Sequence, residues 1–238
     1  MGENKDKTAD RITEAYKEIR KLILFHRLSP GTPIIQARMA DDLGHSRATL
    51  RAALQRLAQE GYVVETELGT YSRFVVASLT VEDMQELFAI VGALEGVAIR
   101  QVAALPPEER EELARRMEGL NARVLRMVED GGVDPDEANR SDTAFHSAFI
   151  NMATGSRLLT QLRSIRPQVD RYRDLYLVRV AGQMRVLGAP EHQAIVDAIR
   201  CGDPERAQKA VEDHWRAGAG RLQEFIQEMG EHRGYAGD

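Results

Sequence analysis

The stretch MADDLGHSRATLRAALQRLAQEGYV, residues 39–63, decides the fold of the first third of the chain. From Ser46 onward, Leu50, Ala53, Leu54 and Leu57 recur at intervals of three and four, the spacing of one apolar helix face. Gly61 closes that helix, so it spans Ser46 to Glu60. Gly44 and His45 form a turn before it, and a short helix over Gln36–Leu43 precedes the turn. The face opposite the apolar stripe carries Arg47 and Arg51, one turn apart.

Working outward, Ile12, Ala15, Tyr16, Ile19, Leu22 and Ile23 mark an amphipathic helix from Asp10 to Arg27, ended by Ser29-Pro30-Gly31. Two short β-branched runs, Tyr62–Glu65 and Arg73–Val76, flank TELGTY, which reads as a hairpin with Gly69 at its tip. Three helices followed by a hairpin is the order of a winged helix-turn-helix, in which the second helix of the motif enters the major groove of DNA. Residues at the start of that helix, here Ser46, Arg47, Ala48, Thr49 and Arg51, are the ones expected to reach the nucleic acid. An arginine fork grips guanine O6 and N7 or clamps phosphate, and hydroxyls serve phosphate oxygens.

Charge alone supports this weakly. The 238 residues carry a formal net charge of −5, yet it is unevenly spread. Residues 1–79 hold 12 Lys and Arg against 10 Asp and Glu, and the remainder 20 against 27. Between Leu43 and Gln59 lie Arg47, Arg51 and Arg56 and no acid, a local basic face suited to phosphates. On the residues alone, a solvated helix face is the commoner reading of such an arginine triplet. The 43% hydrophobic and 29% charged composition is that of a globular chain. No apolar run approaches the roughly 20 residues that span a bilayer, and the opening MGENKDKTADR lacks a signal-peptide core, so the expected location is the cytoplasm. The single cysteine, Cys201, excludes an internal disulfide framework and a thiolate-rich zinc site.

Ser78-Leu79 is the expected linker, dividing the chain into domains of residues 1–79 and 80–238. Thr80 with Asp83 resembles a capping box. Helix starts recur at Pro106-Pro107, Asp134-Pro135 and Asp203-Pro204, and glycines at 155, 182, 188 and 202 supply breaks. The expectation is a mainly α protein whose second domain is an all-helical antiparallel bundle of about six or seven helices.

Within that second domain, Asp142 and His146 stand four apart and share a helix face. His192 and His214 fall on two further helices. Three imidazoles and a carboxylate suit zinc, nickel, iron or manganese better than magnesium or calcium, which prefer oxygen. Each histidine read singly is more often a solvated or hydrogen-bonded residue than a ligand.

Two resemblances narrow these alternatives. Residues 39–63, preceded by LSPGTPI and followed by a glycine-tipped hairpin, resemble the GntR family of winged-helix regulators. The resemblance implies that Arg47 and Arg51 are DNA-contacting arginines, Ser46 and Thr49 hydroxyl positions, and Gly69 the wing tip that enters the minor groove. Ala48-Thr49 departs from the Thr-Pro of many members, and Ala37 from an arginine found in some, so the operator sequence does not carry over. Residues 80 to about 230 resemble the FCD effector domain of the FadR-like branch, through LFAIVGALEGVAIR, FHSAFINMATGSRLL and EHQAIVDAIRCGDPERAQKAVEDHW. That resemblance implies that Asp142, His146, His192 and His214 are metal ligands, with zinc the first choice. It also implies a small organic acid as effector. Val91 stands where many members have a ligand-meeting arginine; Arg163, Arg166, Arg171, Arg173 and Arg179 offer replacements, none singled out.

The implied function is a homodimeric, ligand-responsive transcription regulator, a repressor of a metabolic operon, bound to a palindromic operator. A regulator in which the ion itself is the signal is the alternative. A metalloenzyme, with Glu191 as base, lacks any accompanying substrate motif.

Overall fold

Ala15, Ile19 and Ile23 are buried on one side of the first helix, and Leu50, Ala53, Leu54 and Leu57 are buried opposite them, so the two apolar stripes read from the sequence form one core. The computed structural model describes residues 3–25, 27–68, 71–129, 135–153, 155–180 and 188–229. The chain divides into two compact units at Thr80 and Val81.

The first unit runs α1 (Glu3–Leu24), β1 (Pro33–Ile34), α2 (Gln36–Leu43), α3 (Arg47–Gln59), β2 (Val63–Leu68) and β3 (Tyr71–Val76). Its antiparallel sheet has the order β1-β3-β2, with Ile34 opposite Phe74 and Val63 opposite Val76. Tyr62, Val63, Phe74 and Val76 close the core beneath α3. The first helix starts earlier than its apolar period suggested, and both wing strands are longer. β1 was not anticipated. Two residues after a proline carry no alternation, and the strand is held by its partner: Gly31 N donates to Val76 O at 2.8 Å and Val76 N to Thr32 O at 3.0 Å.

Gly44 ends α2 in the left-handed region at φ 71°, where its N–H reaches the carbonyls of Ala40 and Asp41. A side chain is disfavoured there, which is why the turn of the motif falls on a glycine. Ser46 then caps α3, its hydroxyl accepting from Thr49 N at 3.1 Å. Turn and cap together fix the angle at which α3 departs.

The second unit is helical throughout its described residues: α4 (Val81–Ala103), α5 (Pro107–Glu129), α6 (Pro135–Ala153), α7 (Ser156–Val180), α8 (Ala189–Cys201) and α9 (Pro204–Met229). α4 is its most buried helix and packs against α6, α7 and α8, while α5 packs on α6 and α8. Asp203 caps α9 by accepting from Arg206 N at 3.0 Å. The expected cap at Asp134 and the break at Gly182 lie outside the described residues. No helix among the described residues is long and apolar enough to cross a membrane.

Candidate metal centre and nucleic-acid interface

In the first unit the exposed face of α3 presents Arg47, Ala48, Arg51 and Gln55. Among the described residues, neither Arg47 nor Arg51 has a hydrogen bond or ion pair. Both forks are therefore available to an incoming anion. Ser46 is exposed at the helix N-terminus, where the backbone dipole favours phosphate. Thr49 differs from its neighbours in being buried, with its hydroxyl 2.8 Å from that of Ser46. That contact lies at the cap of α3. Arg56 lies on another side of the helix: its guanidinium is 3.9 Å from the Tyr16 ring centroid and its Nε donates to Glu60 at 3.2 Å. His45, in the turn, sits 2.7 Å from Glu18 and ties the motif to α1. Gly69 lies outside the described residues.

In the second unit α6, α8 and α9 bring together Asp142, His146, His192 and His214, four residues spread over 73 positions of sequence. One donor atom from each lies within 4.8 Å of all the others. His146 Nε2 is 3.9 Å, and His192 Nε2 3.5 Å, from Asp142 Oδ1. The three histidines are buried, and Asp142 is partly so.

A packed core normally pairs every buried polar atom. Here His146 Nε2, His192 Nε2 and His214 Nδ1 are all buried without a hydrogen-bond partner. Three orphaned imidazole nitrogens around one carboxylate are the donor set of a first-row divalent ion, so the residues fit such a group. Donors on one ion about 2.1 Å away lie no more than about 4.2 Å apart, so only a small contraction is required.

The electrostatics agree. Burial holds the His192 pKa down at about 4, with His146 and Arg173 adding to the effect and Asp142 opposing it. Burial likewise pushes His214 well below the usual histidine range, helped by His192 and His146. Both rings are thus neutral at pH 7, the form that donates a lone pair. At Asp142 burial would raise the pKa, but nearby positive charge, that of Arg173 above all, outweighs it and keeps the carboxylate ionised.

Two arginines of α7 border the cluster. Arg173 Nη1 lies 3.0 Å and Arg166 Nη2 3.9 Å from Asp142 Oδ2. Arg171 is buried, Arg163 is exposed, and the Arg179 side chain lies outside the described residues. Val91 is fully buried. Phe145 stacks on the His192 ring, with centroids 3.9 Å apart. A cavity of about 430 Å³ runs between α4 and α9, lined in part by Gln85, Phe88, Gly92, Glu212, Arg216 and Gln223; none of the four clustered residues lines it.

One residue of this site was missed in the sequence. Glu95, on α4, is fully buried and accepts from His146 Nδ1 at 2.8 Å and from Trp215 Nε1 at 2.8 Å. Its signal was present: Phe88, Gly92, Glu95 and Ile99 follow the helical period, placing an acid on the core stripe.

Comparison with known proteins places both units. The family described as FCD domain matches residues 86–217, and that described as bacterial regulatory proteins, gntR family, matches residues 11–68. A probable D-xylose utilization operon transcriptional repressor of Paenarthrobacter nicotinovorans is 29% identical over 217 residues, covering 88% of this chain and 90% of its own length. A putative L-lactate dehydrogenase operon regulatory protein of Escherichia coli (strain K12) is 27% identical, covering 88% and 82%. Among solved structures, E. coli McbR/YncC superposes with a TM-score of 0.64 at 16% identity, covering 92% of this chain and 99% of that one. A putative transcriptional regulator GntR from Rhodococcus sp. RHA1 gives 0.61 at 21%, covering 90% and 97%.

Proposed function

We propose that this chain, which belongs to the gntR family of bacterial regulatory proteins in the branch that carries an FCD domain, senses a small organic acid in its helical unit and answers by changing its hold on operator DNA. Members of the family are transcription regulators and not enzymes, and this chain is one. The observation that carries the sensing half is the set of three orphaned imidazole nitrogens facing the Asp142 carboxylate.

Asp142, His146, His192 and His214 hold a divalent transition metal, zinc first, with nickel, iron or manganese as alternatives. The ion supplies a positive charge on which a carboxylate can be held. Arg166 and Arg173, beside Asp142, add cationic donors to the same region, which supports an anionic effector despite the buried Val91. The operons named for two relatives, D-xylose utilization and L-lactate dehydrogenase, support a metabolic operon as target, and the repressor named for the first supports repression. Arg47 and Arg51 read or clamp the operator, with Ser46 at the helix start and Gly69 at the wing tip. A homodimer places two such helices on the half-sites of a palindrome.

The effector acts only through a difference in its affinity for the two conformations of the protein. The test is a thermal-shift screen of the zinc-loaded chain against small organic acids, followed by operator gel shifts with each hit. At least one acid raises the melting temperature and alters operator affinity. Operator release by metal alone, with no acid active, would assign the signal to the ion instead.

A further inference from the structure

We propose that Glu95 is a positioning residue of the metal site, fixing the tautomer of His146 and the seat of Trp215 next to His214; this rests on the metal reading above. A carboxylate buried between packed helices is strongly disfavoured unless it is paired. Glu95 is 0% exposed, in the middle of α4. Its partners come from three other helices: His146 of α6, Trp215 of α9, and Arg166 of α7, whose Nη1 is 3.6 Å from Oε1.

The division of its two oxygens is informative. Both close donors, His146 Nδ1 and Trp215 Nε1, meet Oε2 at 2.8 Å. A carboxylate oxygen only accepts, so the proton of the His146 ring is held on Nδ1. The lone pair is then on Nε2, the buried atom that faces Asp142 and has no hydrogen-bond partner. Without the carboxylate a neutral imidazole divides between tautomers, and one of them puts a proton where the lone pair is needed. Outer carboxylates of this kind raise metal affinity by about 10- to 100-fold.

The second donor extends the effect to α9. Trp215 follows His214 directly, and its ring centroid is 5.3 Å from that of His146. Anchoring the indole therefore also sets the backbone that carries His214. Gly92 leaves the room: a Cβ there would stand 3.2 Å from Trp215 Cβ. Trp215 is the one tryptophan of the chain, so its emission reports on this anchor.

The experiment is a cobalt(II) titration of the chelator-treated full-length protein, read by visible absorption and by Trp215 fluorescence. Wild type binds cobalt with a change in both signals; Glu95→Gln binds about 10- to 100-fold more weakly and with an altered visible spectrum. Wild-type affinity and spectrum in Glu95→Gln overturn the proposal. No cobalt binding by the wild type defeats the metal reading itself, a distinct failure. Should Glu95→Gln not fold, ¹⁵N-histidine spectra of the wild type decide. A His146 protonated on Nδ1 sustains the proposal, and one protonated on Nε2 ends it.

Discussion

Arg56 lies on the far side of α3 from Arg47 and is engaged there by its own neighbours. Its guanidinium lies over Tyr16, and the Tyr16 hydroxyl in turn donates to Glu60, the residue that Arg56 also engages. Arg56→Ala is therefore expected to lower stability by about 0.5–2 kcal/mol, through the lost cation–π and charge-assisted contacts, with little change in operator affinity at temperatures where it is folded. Arg47→Ala and Arg51→Ala are the reverse case. Each loses about 1–3 kcal/mol of operator binding in gel shifts while melting like the wild type. Burial, then the bond to Glu60, raises the Tyr16 pKa from its ordinary 10 to about 12. Between those values the folded state keeps a proton that the unfolded state has lost, so stability falls as pH rises through the window. The melting-temperature advantage of wild type over Tyr16→Phe should accordingly shrink from pH 9 to pH 12. The helical period already sets Arg56 half a turn round from Arg47 and four residues before Glu60, so the sequence separates it from the other two arginines; the stacking on Tyr16 is the part only the tertiary structure supplies.

The elements that carry the site were legible where a local rule governs them. Asp142 and His146 share a helix face because they are four apart, and Ser46 and Gly44 sit where a helix must begin and end. Pairings made across elements were not. β1 exists only because β3 offers it an edge, and Glu95 was passed over because its three partners lie on other helices. The α8–α9 turn joins a local to a distant cause. Gly202 lies at φ 68°, a conformation that costs an L-residue about 1–2 kcal/mol. A Cβ there would also run into the Arg110 guanidinium, which donates to Ile199 O at 3.1 Å and Arg200 O at 2.9 Å and so closes the end of α8. Gly202→Ala should then cost more than the backbone penalty alone, seen as a lower melting temperature. Because His192 and His214 stand on the helices flanking this turn, weaker metal binding should accompany it.

In the second unit α6 supplies two residues of the Asp-His cluster, and α8 and α9 one each. An ion bridging three helices stabilises only the state in which all three are assembled. Chelation should lower the melting temperature of the second unit and abolish any stabilisation by organic acids, both measurable by calorimetry. The sequence conveyed the two-part plan through its periodicities and motifs. It could not convey that three imidazole nitrogens would be left without partners, since that depends on everything packed around them. The most direct measurement is a zinc titration of the chelator-treated full-length chain beside the His192→Ala/His214→Ala variant. One tightly held ion per wild-type chain and none in the variant is the expected result; equal uptake by both, or no uptake by the wild type, would rule the site out.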